Sequence, residues 1–146
     1  MYKNNEILMK ENILLGLPSC TQEVAIKKVG ELLYKSGYVL EEYTDMMFER
    51  EKIVSTYIGN GVAIPHGVGK GRDYIRNSGL VVLQFPEGIL YNGNTTYLVI
   101  GISGKDNEHI KILSNIAEQI SDEEKAKKLW TTTDLEYVYN VFVNNQ

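Results

Sequence analysis

Two short, almost purely apolar segments set what this chain can become: Gly79-Leu-Val-Val-Leu-Gln-Phe85 and Tyr97-Leu-Val-Ile-Gly-Ile102. Both read as buried strands, the first ended by Pro86-Glu-Gly88 and the second by Ser103-Gly104. A buried strand needs cover, and the remaining sequence supplies helices. With Thr21 as N-cap (or Ser19, with Gln22 behind it), Ala25, Val29, Leu32 and Leu33 recur at helical spacing until Gly37 stops the run. A second helix is predicted from about Leu40 to Val54, with Tyr43, Met46, Met47 and Val54 on one stripe. Asp106 or Asn107 can cap a third, whose stripe is Ile110, Leu113, Ile116 or Ala117, and Ile120. Two more open with capping-box patterns, Ser121 with Glu124 and Thr133 with Glu136. No repeat, low-complexity segment or linker divides the chain. Two helices followed by strands interleaved with helices predict one domain over residues 1–146, an α/β sandwich with a mixed sheet flanked by helices.

Composition narrows the function classes. A chain of 146 residues buries roughly two-thirds of its unfolded surface, so a core needs neither metal nor disulfide. The single cysteine, Cys20, rules out an intramolecular disulfide and suits a reducing compartment. A net charge of −4 with scattered Lys and Arg gives no basic face for nucleic acid. The N-terminal stretch to Gly16 lacks the apolar region of a signal peptide. The purest apolar runs, 80–83 and 98–102, fall far short of a bilayer span. The expectation is a soluble cytoplasmic protein without direct membrane insertion.

The chain has two histidines, His66 and His109. His66 follows Val62-Ala-Ile-Pro65 and precedes Gly67, where a short strand candidate, Val62 to Ile64, gives way to a loop. Pro65 fixes φ and supplies no N–H, and Gly67 lets backbone approach a ligand closely. These residues lie in a glycine-dense stretch, 59–71, holding five glycines in 13 residues. His109 follows a different strand, in the first turn of the third helix, where unpaired N–H groups and the helix dipole favour an anion. Ligands of open α/β sheets gather beyond the carboxyl ends of strands, so the two rings can meet there. Either histidine alone is more commonly structural or simply exposed. Arg50 falls on the apolar stripe of the second helix, where a guanidinium must snorkel to water or find an anion. It could clamp phosphoryl charge, with Glu51 or Glu49 holding it at rest.

Other chemistries fare worse. Cys20 lies near a helix start, which could lower its pKa, but no histidine is near it in sequence. The two histidines with Asp106 or Glu108 lack the tight spacing of a zinc site. The glycines match neither a P-loop nor a dinucleotide fingerprint, which argues against a nucleotide-dependent kinase.

The run Arg50-Glu-Lys-Ile-Val-Ser-Thr-Tyr-Ile-Gly-Asn-Gly-Val-Ala-Ile-Pro-His-Gly67 closely resembles the signature of the type 2 enzyme IIA domains. These belong to the bacterial phosphoenolpyruvate-dependent sugar phosphotransferase system, in its fructose–mannitol superfamily. Tyr97-Leu-Val-Ile-Gly-Ile-Ser-Gly-Lys-Asp-Asn-Glu-His-Ile110 is a second match, and Gln84-Phe-Pro-Glu-Gly88 fits as well. Pro86-Glu-Gly88 with Asn107-Glu-His109 looks most like the mannitol branch, here as a free-standing chain. Residues 68–72 depart from it, carrying two glycines and basic residues where mannitol members often carry acids.

The resemblance implies an α/β sandwich with a mixed sheet. It implies that His66 is phosphorylated by the histidine-containing carrier protein HPr and donates to a cysteine of the enzyme IIB domain of a IICB sugar transporter. His109 then matches the second active-site histidine and Arg50 the arginine near it; Glu51 and Gly67 are expected to support them by the reading of the residues given above. No cofactor, nucleotide or metal is implied, because the donor is itself a phosphohistidine. The site is expected to be shallow and exposed, with partners docking around 59–71. Two alternatives remain: a regulatory protein of the same fold that binds partners according to phosphorylation state, and a small metal-binding hydrolase using His66 and His109.

Overall fold

The computed structural model describes residues 7–67 and 73–143. Five strands form one mixed sheet in the order β1-β4-β5-β3-β2: β1 Leu8–Leu14, β2 Tyr57–Gly59, β3 Val62–Ala63, β4 Gly79–Tyr91 and β5 Asn94–Ser103. The helices are α1 Gln22–Lys35, α2 Tyr43–Ile53, α3 Glu108–Ile120, α4 Glu123–Thr131 and α5 Leu135–Val143. Successive strand residues face opposite sides of the sheet, and that alternation sorts the core into two layers. Leu80, Val82, Leu98 and Ile100 pack with Ile112, Ile116, Leu129 and Phe142 of α3, α4 and α5. Val81, Leu83 and Val99 pack with Ala25, Val29, Leu33 and Met47 of α1 and α2. Helices on both faces explain why the central strands read as unbroken apolar runs. The sandwich expected from the sequence is what forms.

Strand boundaries depart from the sequence reading. Pro86-Glu-Gly88 does not end β4. It is taken up as a bulge, with a register shift between Gln84 and Ile89, and the strand continues to Tyr91. Two Asn-Gly pairs make the hairpins. Asn60 and Gly61 both have positive φ (51° and 77°) and join β2 to β3, while Asn92 and Gly93 (50° and 85°) join β4 to β5. Positive φ at both central residues gives the turn whose twist matches antiparallel strands, so Asn-Gly was the available signal for both. Strand β1 also escaped the sequence reading, because Lys10-Glu-Asn12 interrupts its apolar residues. An edge strand tolerates those groups. Buried Asn12 satisfies its amide by exchanging hydrogen bonds with Ser36.

Helix ends differ too. Thr21 caps α1 through the Val24 N–H, as expected. Val54, placed on the α2 stripe, instead adopts an extended conformation at the helix end and is 57% exposed. Ile110 is exposed as well, and Ile112 takes its core position. Asn107 stands at the start of α3 without a side-chain cap bond. The caps of α4 and α5 fall one residue later than the capping-box patterns placed them: Asp122 accepts from Glu124 N–H and Asp134 from Glu136 N–H.

Strand β3 runs parallel to β5, pairing Val62 with Leu98 and Ala63 with Val99. Their carboxyl ends therefore lie at one edge of the sheet. At Gly101 of β5, a Cβ would sit 1.9 Å from Val29 Cγ1 of α1. Gly101→Ala should lower stability by about 1–3 kcal/mol through overpacking, measured by urea unfolding. A wild-type midpoint would mean that α1 lies further from β5 than described.

Candidate active site

The residue after Pro65 continues the β3 ladder alone. His66 forms an isolated parallel bridge with Ile102 of β5, and Pro65 C=O accepts from Ile102 N–H at 3.1 Å. The regular ladder has already stopped at Ala63, and Pro65 has no N–H to extend it. His109 is the second residue of α3, reached from β5 through Ser103-Gly-Lys-Asp-Asn107. Gly104 makes that approach possible, since a Cβ there would stand 2.4 Å from His109 Cα. The two imidazole rings meet at 5.3 Å between centroids, tilted by 57°. The pairing of histidines from separate strand ends is what the sequence reading required.

The His66 ring is buried, retaining 6% of its exposure, and this corrects the expectation of an open ring. It folds back on its own strand, where Nδ1 lies 2.5 Å from Ile64 C=O. A carbonyl only accepts, so Nδ1 carries the hydrogen in the neutral ring and Nε2 keeps its lone pair. Burial pushes the His66 pKa down from the ordinary 6.5. The positive fields of His109 and Arg50 act in the same direction, while the Ile64 hydrogen bond and Glu51 oppose them.

Arg50 projects from the last turn of α2, half-buried, and its charge is felt at His66. Its resting partner is neither acid named from the sequence. Nη1 donates to Val54 C=O at 2.6 Å, closing the end of its own helix. Glu49 pairs with Lys52 at 3.1 Å, and Glu51 accepts from Thr56, Tyr91 and Asn92. Neighbouring positions on a helix point in different directions, so Glu49 and Glu51 turn away from Arg50.

Gly67 serves a different purpose from the one read in sequence. Its N–H donates to Tyr43 Oη at 2.9 Å, and a Cβ would fall 2.9 Å from Tyr43 Cε1. The close approach is to this ring. Tyr43 Oη–H in turn donates to Ile102 C=O at 2.8 Å. One buried hydroxyl thus ties the segment after His66 to the strand beside it. Burial pushes the Tyr43 pKa up to about 12. Tyr43 was read only as core; the missed signal is that a buried phenol needs a polar partner.

At the head of α3, Ser78 Oγ accepts from Lys105 N–H and donates to Glu108 Oε1, securing the turn before His109. Cys20 does not have the lowered pKa that a helix start would give: burial pushes its thiol up, with Lys28 opposing. Among the described residues, no three His, Cys, Asp or Glu side chains converge on a possible metal position. No helix among them is long and apolar enough to cross a membrane. The departure at 68–72, and with it part of the supposed docking rim, lies outside the described residues.

The arrangement suits nucleophilic attack by Nε2 on an anionic electrophile: a fixed tautomer, a second imidazole alongside, and a guanidinium within electrostatic range. The chain as a whole is similar in sequence and fold to known proteins. The profile of the family described as "Phosphoenolpyruvate-dependent sugar phosphotransferase system, EIIA 2" matches residues 6–145. The chain is 44% identical over 138 residues to the mannitol-specific phosphotransferase enzyme IIA component of Bacillus subtilis, covering 94% of this chain and 96% of that protein. It is 43% identical over 136 residues to the mannitol-specific EIICBA component of Pasteurella multocida, covering 90% of this chain but only 22% of that longer protein. It also matches a chain in the complex of enzyme IIAMTL and phosphorylated enzyme IIBMTL from Escherichia coli. There the TM-score is 0.85 and the identity 37%, over 92% of this chain and 95% of that one.

The His66 environment carries a pH consequence. In the unfolded chain the ring takes its proton near pH 6.5, and in the folded chain only at lower pH. Between those values the unfolded state binds more protons, so this contribution is complete above the window and is lost as pH falls through it. Urea unfolding below pH 6.5 should show the decline, and His66→Gln should flatten it. An NMR titration placing His66 at or above the ordinary value would contradict the burial described.

Proposed function

Because the chain belongs to the EIIA 2 family of the phosphoenolpyruvate-dependent sugar phosphotransferase system, we propose that it is a phosphoryl carrier charged on His66 Nε2 by phospho-HPr. It then passes the group to a cysteine of an enzyme IIB domain of a IICB transporter for mannitol uptake, on the cytoplasmic side. The observation that carries this reading is the His66 Nδ1–H bond to Ile64 C=O, which leaves Nε2 as the nucleophile beside His109.

The step balances without a cofactor or metal. Nε2 attacks phosphorus in line with the phosphohistidine of HPr; the new Nε2–P bond forms as the donor's N–P bond breaks, and the donor imidazole leaves with the electron pair. His66 keeps its Nδ1 hydrogen on Ile64, which bears part of the positive charge now on the ring. In the second half, a cysteine thiolate of IIB attacks phosphorus and His66 leaves as the neutral imidazole. Most of the catalysis in such transfers is alignment and charge stabilisation. His109 and Arg50 supply the latter to the equatorial oxygens. Arg50 needs only to exchange Val54 C=O for a phosphoryl oxygen, a stronger, charge-assisted bond. The start of α3 adds its dipole.

Burial of His66 means that a partner must bring its reacting residue to the ring's edge. The exposed Ile110 next to His109, with Ile53 and Val54 beyond Arg50, offers apolar contacts around that approach. Identity of 44% with a mannitol-specific enzyme IIA favours transport over a purely regulatory role.

His66→Ala should take up no phosphoryl group in a labelling assay with phosphoenolpyruvate, enzyme I and HPr; full labelling would refute the assignment. His109→Ala and Arg50→Ala should remain folded and transfer roughly 100-fold more slowly, the usual scale for losing one oxyanion donor. Unchanged rates in both would remove their roles. Reconstitution with IICB membranes and a panel of sugars should show mannitol phosphorylated in preference to fructose.

A further inference from the structure

Glu51 sits where three elements meet: the end of α2, the start of β2 and the tip of the β4–β5 hairpin. Its carboxylate accepts four hydrogen bonds. Oε2 takes Thr56 N–H at 2.7 Å and Asn92 Nδ2 at 3.0 Å; Oε1 takes Thr56 Oγ1 and Tyr91 Oη, each at 2.8 Å. Thr56 is 3% exposed, out of reach of bulk water, and its Oγ1 also lies 2.8 Å from Tyr91 Oη. From Thr56 the bonding continues toward the reacting ring. Thr56 C=O accepts from Ile64 N–H at 3.0 Å, one rung beyond the β2–β3 ladder, and Ile64 C=O meets His66 Nδ1 at 2.5 Å. The far side of His66 is secured independently, through Gly67, Tyr43 and Ile102.

We infer that Glu51 is a positioning residue for His66: its carboxylate pins Thr56, Thr56 pins Ile64, and the Ile64 carbonyl thereby keeps the imidazole in its Nδ1–H tautomer. The link is mechanical. In both Thr56 and Ile64 the N–H and the C=O belong to different peptide units, so what passes along the chain is placement. Outer partners that orient a histidine through an intermediate group typically alter activity by about 10- to 100-fold when removed. The inference concerns the resting ring, and only its effect on rate rests on the carrier reading.

The test is the 15N NMR signature of the His66 ring in the unphosphorylated protein, above its titration range. Wild type should give one protonated-type and one lone-pair-type nitrogen, with Nδ1 protonated. Glu51→Gln offers one acceptor oxygen where the carboxylate had two, so some of the four donors face an amide NH2. There the two nitrogen signals should move toward each other as tautomers mix. Phosphoryl transfer from phospho-HPr should fall about tenfold with the KM for phospho-HPr unchanged. If Glu51 only stabilised the fold, melting would shift and the ring signature would stay as in wild type; that result overturns the inference. Should Glu51→Gln give no dispersed amide spectrum, Glu51→Asp is read in the same way, since it keeps the charge but withdraws both oxygens from Thr56. Tautomer mixing in a protein that takes no phosphoryl group even as wild type would leave this inference standing and defeat the carrier reading instead.

Discussion

Parallel pairing of β3 with β5 brings two strand ends to one edge of the sheet, and almost everything at the site hangs from that edge. The ladder is brief, Val62 with Leu98 and Ala63 with Val99, followed by the lone bridge of His66 with Ile102. So short a ladder would give little rigidity by itself. It is held by what surrounds it: the β2 hairpin on one side, the long β4–β5 hairpin on the other, and helices over both faces. The His66 ring is therefore anchored beside deeply buried strands, although it belongs to a segment that leaves the β3 ladder after Ala63.

Electrostatics and packing pull the same way at this edge. Burial, His109 and Arg50 all disfavour a protonated His66, which keeps its nitrogen lone pair available. The same neighbours favour a bound anion, so under the proposed carrier role the charges that keep the lone pair free also receive the phosphoryl group. Glu51 opposes them, but its oxygens are engaged by Thr56, Tyr91 and Asn92. Four donors spread its charge and keep it from neutralising Arg50 directly.

The α/β class was legible because unbroken apolar strand runs and helices with period-three-to-four stripes are the direct imprint of a sheet covered on both faces. His66, His109 and Arg50 were legible for a related reason: polar groups at strand ends, a helix start and an apolar stripe violate the local pattern. What stayed hidden obeys it. Tyr43 sits on the α2 stripe like any core residue, and only its hydroxyl bonds to Gly67 and Ile102 reveal a second task. Thr56 and Ile64 act through backbone groups that every residue has. The extent of β4 was obscured by Pro86, whose bulge lies between two stretches of regular pairing. Strand β1 carries polar residues that its place at the sheet edge permits.

Gly104 has the least chemistry of any residue near the two rings, yet its bare α-carbon lets the backbone of His109 close in. The spacing of two imidazoles is thereby governed by an absent methyl group. Surveys that truncate side chains to find important positions would pass over it, since a glycine has nothing to truncate. Redesign of this scaffold for other acceptors therefore has freedom in the rim around the rings, while the hinge between β5 and α3 has to remain unadorned.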